Sequence, residues 1–164
     1  MVRKSIGDQE KTWRLSFSEA EDILASKQSP FRKKSYLLAK LIFTLETHGL
    51  VDGETERKLS SYLLKTTYLF TLENTPPEEF EKLEQTKDYL EVASKMFEKL
   101  SQALKTGYLP CFFVPEMNLL YGFSQKFLDE IGIRFDDLTF KSEVFIRNLV
   151  ENFQKNRITQ FFCL

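Results

Sequence analysis

The fold is decided by residues 76–107, which read PPEEFEKLEQTKDYLEVASKMFEKLSQALKTG. Within this stretch, four apolar side chains spaced seven residues apart form a continuous stripe on one helix face: Leu83, Leu90, Phe97 and Leu104. A pair of prolines starts the helix and Gly107 ends it. The sequence therefore predicts one long helix over 77–105 that packs inside its own domain. A coiled-coil dimer is the less favoured interpretation, because the stripe lies within a globular chain.

Helical patterns lie on both sides of this stretch. A capping box that ends at Glu21 starts the first helix, and a serine-proline pair starts the second. The predicted helices outside the long one cover about 18–26, 30–48, 55–73, 116–131 and 136–155. The apolar residues 109–115 (LPCFFVP) form a rigid connector flanked by prolines. The predicted fold class is therefore all-α, a bundle of about six helices with short loops.

The predicted domain boundary lies near residue 12. Residues 1–12 are polar and are expected to be a tail or the remnant of a preceding lobe, and 13–164 a single helical domain with one core. No signal peptide and no apolar run long enough to span a membrane is visible, so we expect a cytoplasmic protein without membrane contact. Cys111 and Cys163 are expected to be reduced thiols. Neither they nor His48 have the spacing of a zinc site.

The charge is nearly balanced, with 23 Lys and Arg against 24 Asp and Glu. This balance argues against a domain that coats a polyanion over its whole surface. One local cluster is basic, and no acidic residue lies between 25 and 45; it comprises Lys27, Arg32, Lys33, Lys34 and Lys40. On charge alone this is a solvated face. The functional alternative is an anion or nucleic-acid site near the start of a helix.

Residues 59–66 (LSSYLLKT) form a second candidate site. On a helix, Ser61 and Lys65 share a face and Tyr62 lies beside them. A hydroxyl, an ammonium and an aromatic ring together can hold a phosphate and stack on a base. Alternatively, Tyr62 lies between leucines simply as part of the core. The sequence has no glycine-rich phosphate loop and no common nucleophile motif.

Three stretches taken together resemble one family: residues 13–18 (WRLSFS), 59–66 and 109–120 (LPCFFVPEMNLL). The family is the Mab-twenty-one group of nucleotidyltransferases, which includes cyclic GMP-AMP synthase and related receptors that make cyclic dinucleotides. The resemblance covers residues 13–120, and beyond it the chain is similar only in being helical. It implies the C-terminal helical lobe of that fold.

The resemblance also implies site residues and a ligand. Residues at matching motif positions are expected to bind an ATP- or GTP-type nucleotide: Arg14, Ser16, Lys40, Ser61, Tyr62 and Lys65. Arg14 and Lys40 would neutralise phosphates, and Tyr62 would stack on the base. Ser61 and Lys65 would fix the sugar-phosphate.

The chain also departs from the family pattern. Family enzymes bind Mg or Mn through carboxylates of an N-terminal lobe, and these residues are not in the chain. We therefore expect no catalytic residue, metal site or cofactor here, and a contribution to nucleotide binding in cyclic dinucleotide synthesis during innate immune sensing. The alternative is a non-enzymatic adaptor that binds a nucleotide or a protein.

Residues 25–31 (ASKQSPF) lie where the DNA sensor of the resembled family has a zinc-binding insertion, known as the zinc thumb. They contain no ligand for zinc. Double-stranded nucleic acid remains a possible partner through the basic cluster, as does an N-terminal catalytic lobe or another protein.

Overall fold

The computed structural model describes residues 17–138. Over this range the chain forms six α-helices: α1 (Ser18–Ser26), α2 (Pro30–Thr47), α3 (Ser61–Asn74), α4 (Pro77–Thr86), α5 (Tyr89–Thr106) and α6 (Gln125–Asp136). Within the same range, β pairing is limited to an isolated antiparallel bridge between Pro110 and Asn118. The all-α prediction is confirmed. No helix among these residues has the length and apolarity needed to cross a bilayer.

The central helix is α5, which packs against α2, α3, α4 and α6. Apolar side chains at helical spacing along α5 are all at most 1% exposed: Val92, Met96, Phe97, Leu100 and Leu104. Full burial of such a side chain contributes roughly 1.5–3 kcal/mol. The stripe that was read from the sequence therefore lies in the core at Phe97 and Leu104.

The prediction of one long helix over 77–105 is wrong, because the chain breaks it at Lys87. This residue has left-handed backbone with φ 54, and the amide of Asp88 donates to the carbonyl of Leu83 at 3.0 Å. The carboxylate of Asp88 then accepts from the amide of Glu91 at 3.1 Å and caps α5. The seven-residue spacing continues across this break, which is why the sequence reads as one helix.

Two other predicted helices begin later than expected. The helix predicted from residue 55 begins at Ser61, and the helix predicted from residue 116 begins at Gln125. In both cases a loop held by a polar side chain takes the place of the first turns. The predicted helices over 18–26 and 30–48 agree with α1 and α2. The extended start at residues 13–16, the tail and the last predicted helix beyond residue 138 lie outside the described residues.

Asp52 holds the first of these loops against α6. Its carboxylate is fully buried and accepts hydrogen bonds from the backbone amide of Ser124 at 2.6 Å and its hydroxyl at 2.9 Å. Thr55 and the amide of Glu54 donate to it as well. Burial by itself raises the pKa of Asp52, but these hydrogen bonds outweigh it and hold the pKa well below its usual range. Asp52 therefore remains a carboxylate that joins the loop to the N-cap of α6.

The proline-flanked connector forms a tight hairpin. The amide of Cys111 donates to the carbonyl of Met117 at 2.8 Å, and the amide of Leu119 donates to the carbonyl of Leu109 at 2.8 Å. The side chain of Asn118 accepts from the amides of Leu109 and Leu120 and donates to a carbonyl before the hairpin. These bonds hold the connector as a hairpin and place Cys111 beside α3.

Candidate functional site

The first two turns of α3 carry three of the predicted site residues. Ser60 is the N-cap, and its hydroxyl accepts from the backbone amide of Tyr62 at 3.2 Å. Ser61 follows as the first helical residue and is exposed. Lys65 lies one turn further on, with its side chain 39% exposed. Because Ser61 and Lys65 are four residues apart, they lie on the same accessible side of the helix.

Tyr62 is half-buried. It is therefore neither a fully buried core residue nor a fully exposed platform for a base. Its hydroxyl lies 3.7 Å from the sulfur of Cys111, which is fully buried in the hairpin. Burial, followed by the contact with Cys111, raises the pKa of Tyr62 well above its ordinary value. The phenol is therefore neutral at physiological pH, and its end is fixed by the hairpin.

Lys65 forms an ion pair across to α1. Its Nζ lies 2.7 Å from Oε2 of Glu21, whose side chain is only 16% exposed. Sequence analysis assigned Glu21 to the capping box of α1, but the structure directs its carboxylate to Lys65. The pairing joins residues 44 positions apart, so no local sequence pattern indicates it.

Tyr36 on α2 lies near the carboxylate of Glu21. Burial, with a smaller contribution from the charge of Glu21, raises the pKa of Tyr36 to about 12. Its ring centroid is 5.0 Å from that of Tyr68 on α3. Lys40 lies one turn beyond Tyr36 on the same side of α2 and is partly exposed. The structure thus adds Glu21 and Tyr36 to the site that the sequence predicted.

The other predicted residues have separate placements. Arg14 and Ser16 lie outside the described residues. Lys27, Lys33 and Lys34 are exposed around the junction of α1 and α2. Arg32 differs from these lysines, because its guanidinium carbon lies 4.5 Å from the ring centre of Phe80 on α4. A cation–π contact of this kind contributes about 0.5–2 kcal/mol. Arg32 therefore joins α2 to α4, and three lysines form the exposed basic patch.

A comparison with protein families places most of the described helices in a known domain family. Residues 32–136 match the Mab-21 protein HhH/H2TH-like domain. The chain belongs to the Mab-21 family. The match runs from the first turn of α2 to the end of α6, so the helical bundle described above is the C-terminal helical part of that family. No solved structure matches the chain.

The acidic, histidine and cysteine side chains of this Mab-21 domain are dispersed. Among residues 17–138, no group of three or more of them is arranged to hold a metal ion. His48 is the C-cap residue of α2, and Cys111 is a buried free thiol.

Proposed function

We propose that this Mab-21 domain is the C-terminal helical lobe of a cyclic GMP-AMP synthase-like nucleotidyltransferase, and that it contributes nucleotide binding to cyclic dinucleotide synthesis in innate immune sensing. The observation that carries the proposal is the arrangement of side chains on the first two turns of α3. There, an exposed serine, an anchored tyrosine and a lysine follow one another at the positively polarised end of a helix.

Each side chain has a chemical role in the proposal. The hydroxyl of Ser61 and the ammonium of Lys65 bind the sugar-phosphate, with the field of the helix start favouring the negative charge. The ring of Tyr62 stacks on the base, and its contact with Cys111 keeps the ring in one orientation. Lys40, on the adjoining face of α2, neutralises a further phosphate together with Arg14.

The chemistry of nucleotidyl transfer is assigned to other residues. In the family, Mg or Mn is held by carboxylates of an N-terminal lobe, and the metal neutralises the phosphates during transfer. We propose that this domain binds nucleotide but transfers no nucleotidyl group by itself, and that an N-terminal catalytic lobe or a partner protein completes the site. Cytoplasmic location is part of the same proposal.

Titration calorimetry with ATP and GTP, with and without magnesium, tests the proposal. Tyr62→Ala is expected to weaken binding by roughly 5- to 150-fold, because stacking on one base contributes about 1–3 kcal/mol. Tyr121→Ala is the matched control, since Tyr121 is an aromatic residue 81% exposed on the turn after the hairpin. Unchanged affinity in Tyr62→Ala, or no binding by the unmodified chain, would contradict the proposal.

A second candidate is a non-enzymatic adaptor that binds a nucleotide or a protein. It is favoured by three apolar side chains exposed in and beside the hairpin: Tyr108, Met117 and Tyr121. An adaptor predicts that Tyr121→Ala weakens a protein complex and leaves nucleotide affinity unaltered.

The lysine patch supports a third candidate, contact with double-stranded RNA or DNA. That candidate predicts binding that falls steeply with salt and weakens on Lys33→Ala.

A further inference from the structure

Helix α1 lies at the margin of the bundle. Its residues from Glu19 to Ser26 are exposed or half-buried, with none in the core, and Ile23 is 50% exposed. α1 makes no extensive backbone contact with another of the described helices. A helix with so little buried apolar surface opens at low free-energy cost.

Two contacts connect α1 to the rest of the domain close to the candidate site. At its start, the ring of Phe17 stacks on Phe113 of the hairpin with centroids 4.8 Å apart. One turn later, Glu21 forms its ion pair with Lys65. Burial is the main cause that raises the pKa of Tyr36 and of Tyr62, and the charge of Glu21 makes a smaller contribution to each. Through its ion pair with Lys65, the carboxylate contacts a side chain that the proposed function assigns to the nucleotide.

The carboxylate of Glu21 and a phosphate of the ligand would both bind the ammonium of Lys65. The ammonium of Lys65 already contacts a carboxylate at 2.7 Å, and a phosphate on the same ammonium would approach that carboxylate closely. Two like charges at such a distance repel strongly where water is partly excluded. Phosphate binding at Lys65 therefore requires that Glu21 withdraw, and withdrawal removes one of the contacts that hold α1.

We propose that Glu21 is an internal competitor for phosphate at Lys65, so that α1 docking and nucleotide binding exclude each other. The inference rests on the proposed function and adds its regulation: the ligand-free site is closed by the chain's own carboxylate, and ligand binding releases α1. Exposure of α1 then reports occupancy of the site to whatever binds this end of the domain.

The first test compares Glu21→Gln with the unmodified 164-residue chain, using inorganic tripolyphosphate and ATP as probes. Removing the carboxylate frees the ammonium and removes the repulsion, so both probes are expected to bind at least about tenfold more tightly. Glu79→Gln is the matched control, because Glu79 pairs with Lys95 at 2.7 Å between α4 and α5. Its affinity for both probes is expected to equal that of the unmodified chain.

The second test measures the docking of α1 directly. Hydrogen exchange of the α1 amides is measured with and without saturating tripolyphosphate, and exchange is expected to rise when the probe binds. Glu21→Gln is expected to show the faster exchange without any probe. Equal or weaker binding by Glu21→Gln, or unchanged or slower exchange in α1, overturns the inference.

The outcomes also separate this inference from the proposed function. If the unmodified chain binds ATP through Tyr62 but Glu21→Gln binds no more tightly, only the competitor role of Glu21 is wrong. If neither the unmodified chain nor Glu21→Gln binds either probe, both proposals are wrong. Measurable binding by the unmodified chain that is at least about tenfold tighter in Glu21→Gln supports both.

Discussion

Replacing Lys87 by glycine is expected to stabilise the domain, although Lys87 lies within a sequence that reads as a helix. Lys87 has left-handed backbone with φ 54 between α4 and α5, and it is exposed. This conformation costs a non-glycine residue roughly 1–2 kcal/mol, whereas glycine adopts it freely. Glycine also raises the entropy of the unfolded chain, which offsets part of the gain. The net expectation is a free energy of unfolding higher by about 0.5–1 kcal/mol.

The sign of the change in the free energy of unfolding distinguishes a break at Lys87 from a continuous helix over 77–105. In a continuous helix over 77–105, glycine at this position would lower the free energy of unfolding by about 1 kcal/mol. Lys82→Gly provides the matched control, because Lys82 is an exposed lysine inside α4. This control is expected to lose about 1 kcal/mol, so the two glycine variants should differ by about 1.5–2 kcal/mol.

Urea unfolding followed by circular dichroism measures this difference. A slope of about 2 kcal/mol per molar urea converts the expected gain into a midpoint raised by a few tenths of a molar. Lys82→Gly should lower the midpoint by a similar or larger amount. If Lys87→Gly lowers the midpoint as much as Lys82→Gly does, the break between α4 and α5 is refuted.

Two further predictions concern the buried carboxylate of Asp52. Ser124→Ala is expected to reduce stability more than Ser60→Ala, because Ser124 both caps α6 and donates to Asp52. Ser60→Ala removes only a cap, which costs about 1 kcal/mol. Equal losses of stability in urea unfolding would contradict this prediction. Because the pKa of Asp52 is lower in the folded state, its stabilising contribution is present above its unfolded pKa of about 3.9 and is lost as pH falls further toward the folded value. Asp52→Asn should therefore flatten the dependence of stability on pH at the acid end, and an unchanged acid limb would count against the contact.

The sequence predicts those parts of the fold that depend on neighbouring residues. The predicted bounds of α1 and α2 agree with the structure, and the serine-proline pair starts α2 as expected. The capping box predicted for α1 does not form, because Phe17 is the N-cap residue without a side-chain bond and Glu21 pairs with Lys65. The break at Lys87 was missed, since lysine is not a residue that marks left-handed backbone. The seven-residue stripe continues on both sides and conceals the break.

The errors at the starts of α3 and α6 have a non-local cause. Asp52 finds its partner at Ser124, which is 72 residues away, and the turns before α6 depend on Asn118. The candidate site shows the same limit. Ser61, Tyr62 and Lys65 lie within five residues of one helix, so the sequence predicts them together. Glu21 reaches Lys65 only through a tertiary ion pair, and Tyr36 reaches α3 only through its ring contact with Tyr68.

The most direct test of the central claim is an ATP titration followed in an assigned ¹⁵N–¹H NMR spectrum of the chain. The account predicts saturable shifts concentrated at the amides of Ser61, Tyr62 and Lys65, with smaller shifts near Lys40 and along α1. Saturable shifts confined to the patch around Lys33, or a spectrum unchanged at millimolar ATP, would contradict it.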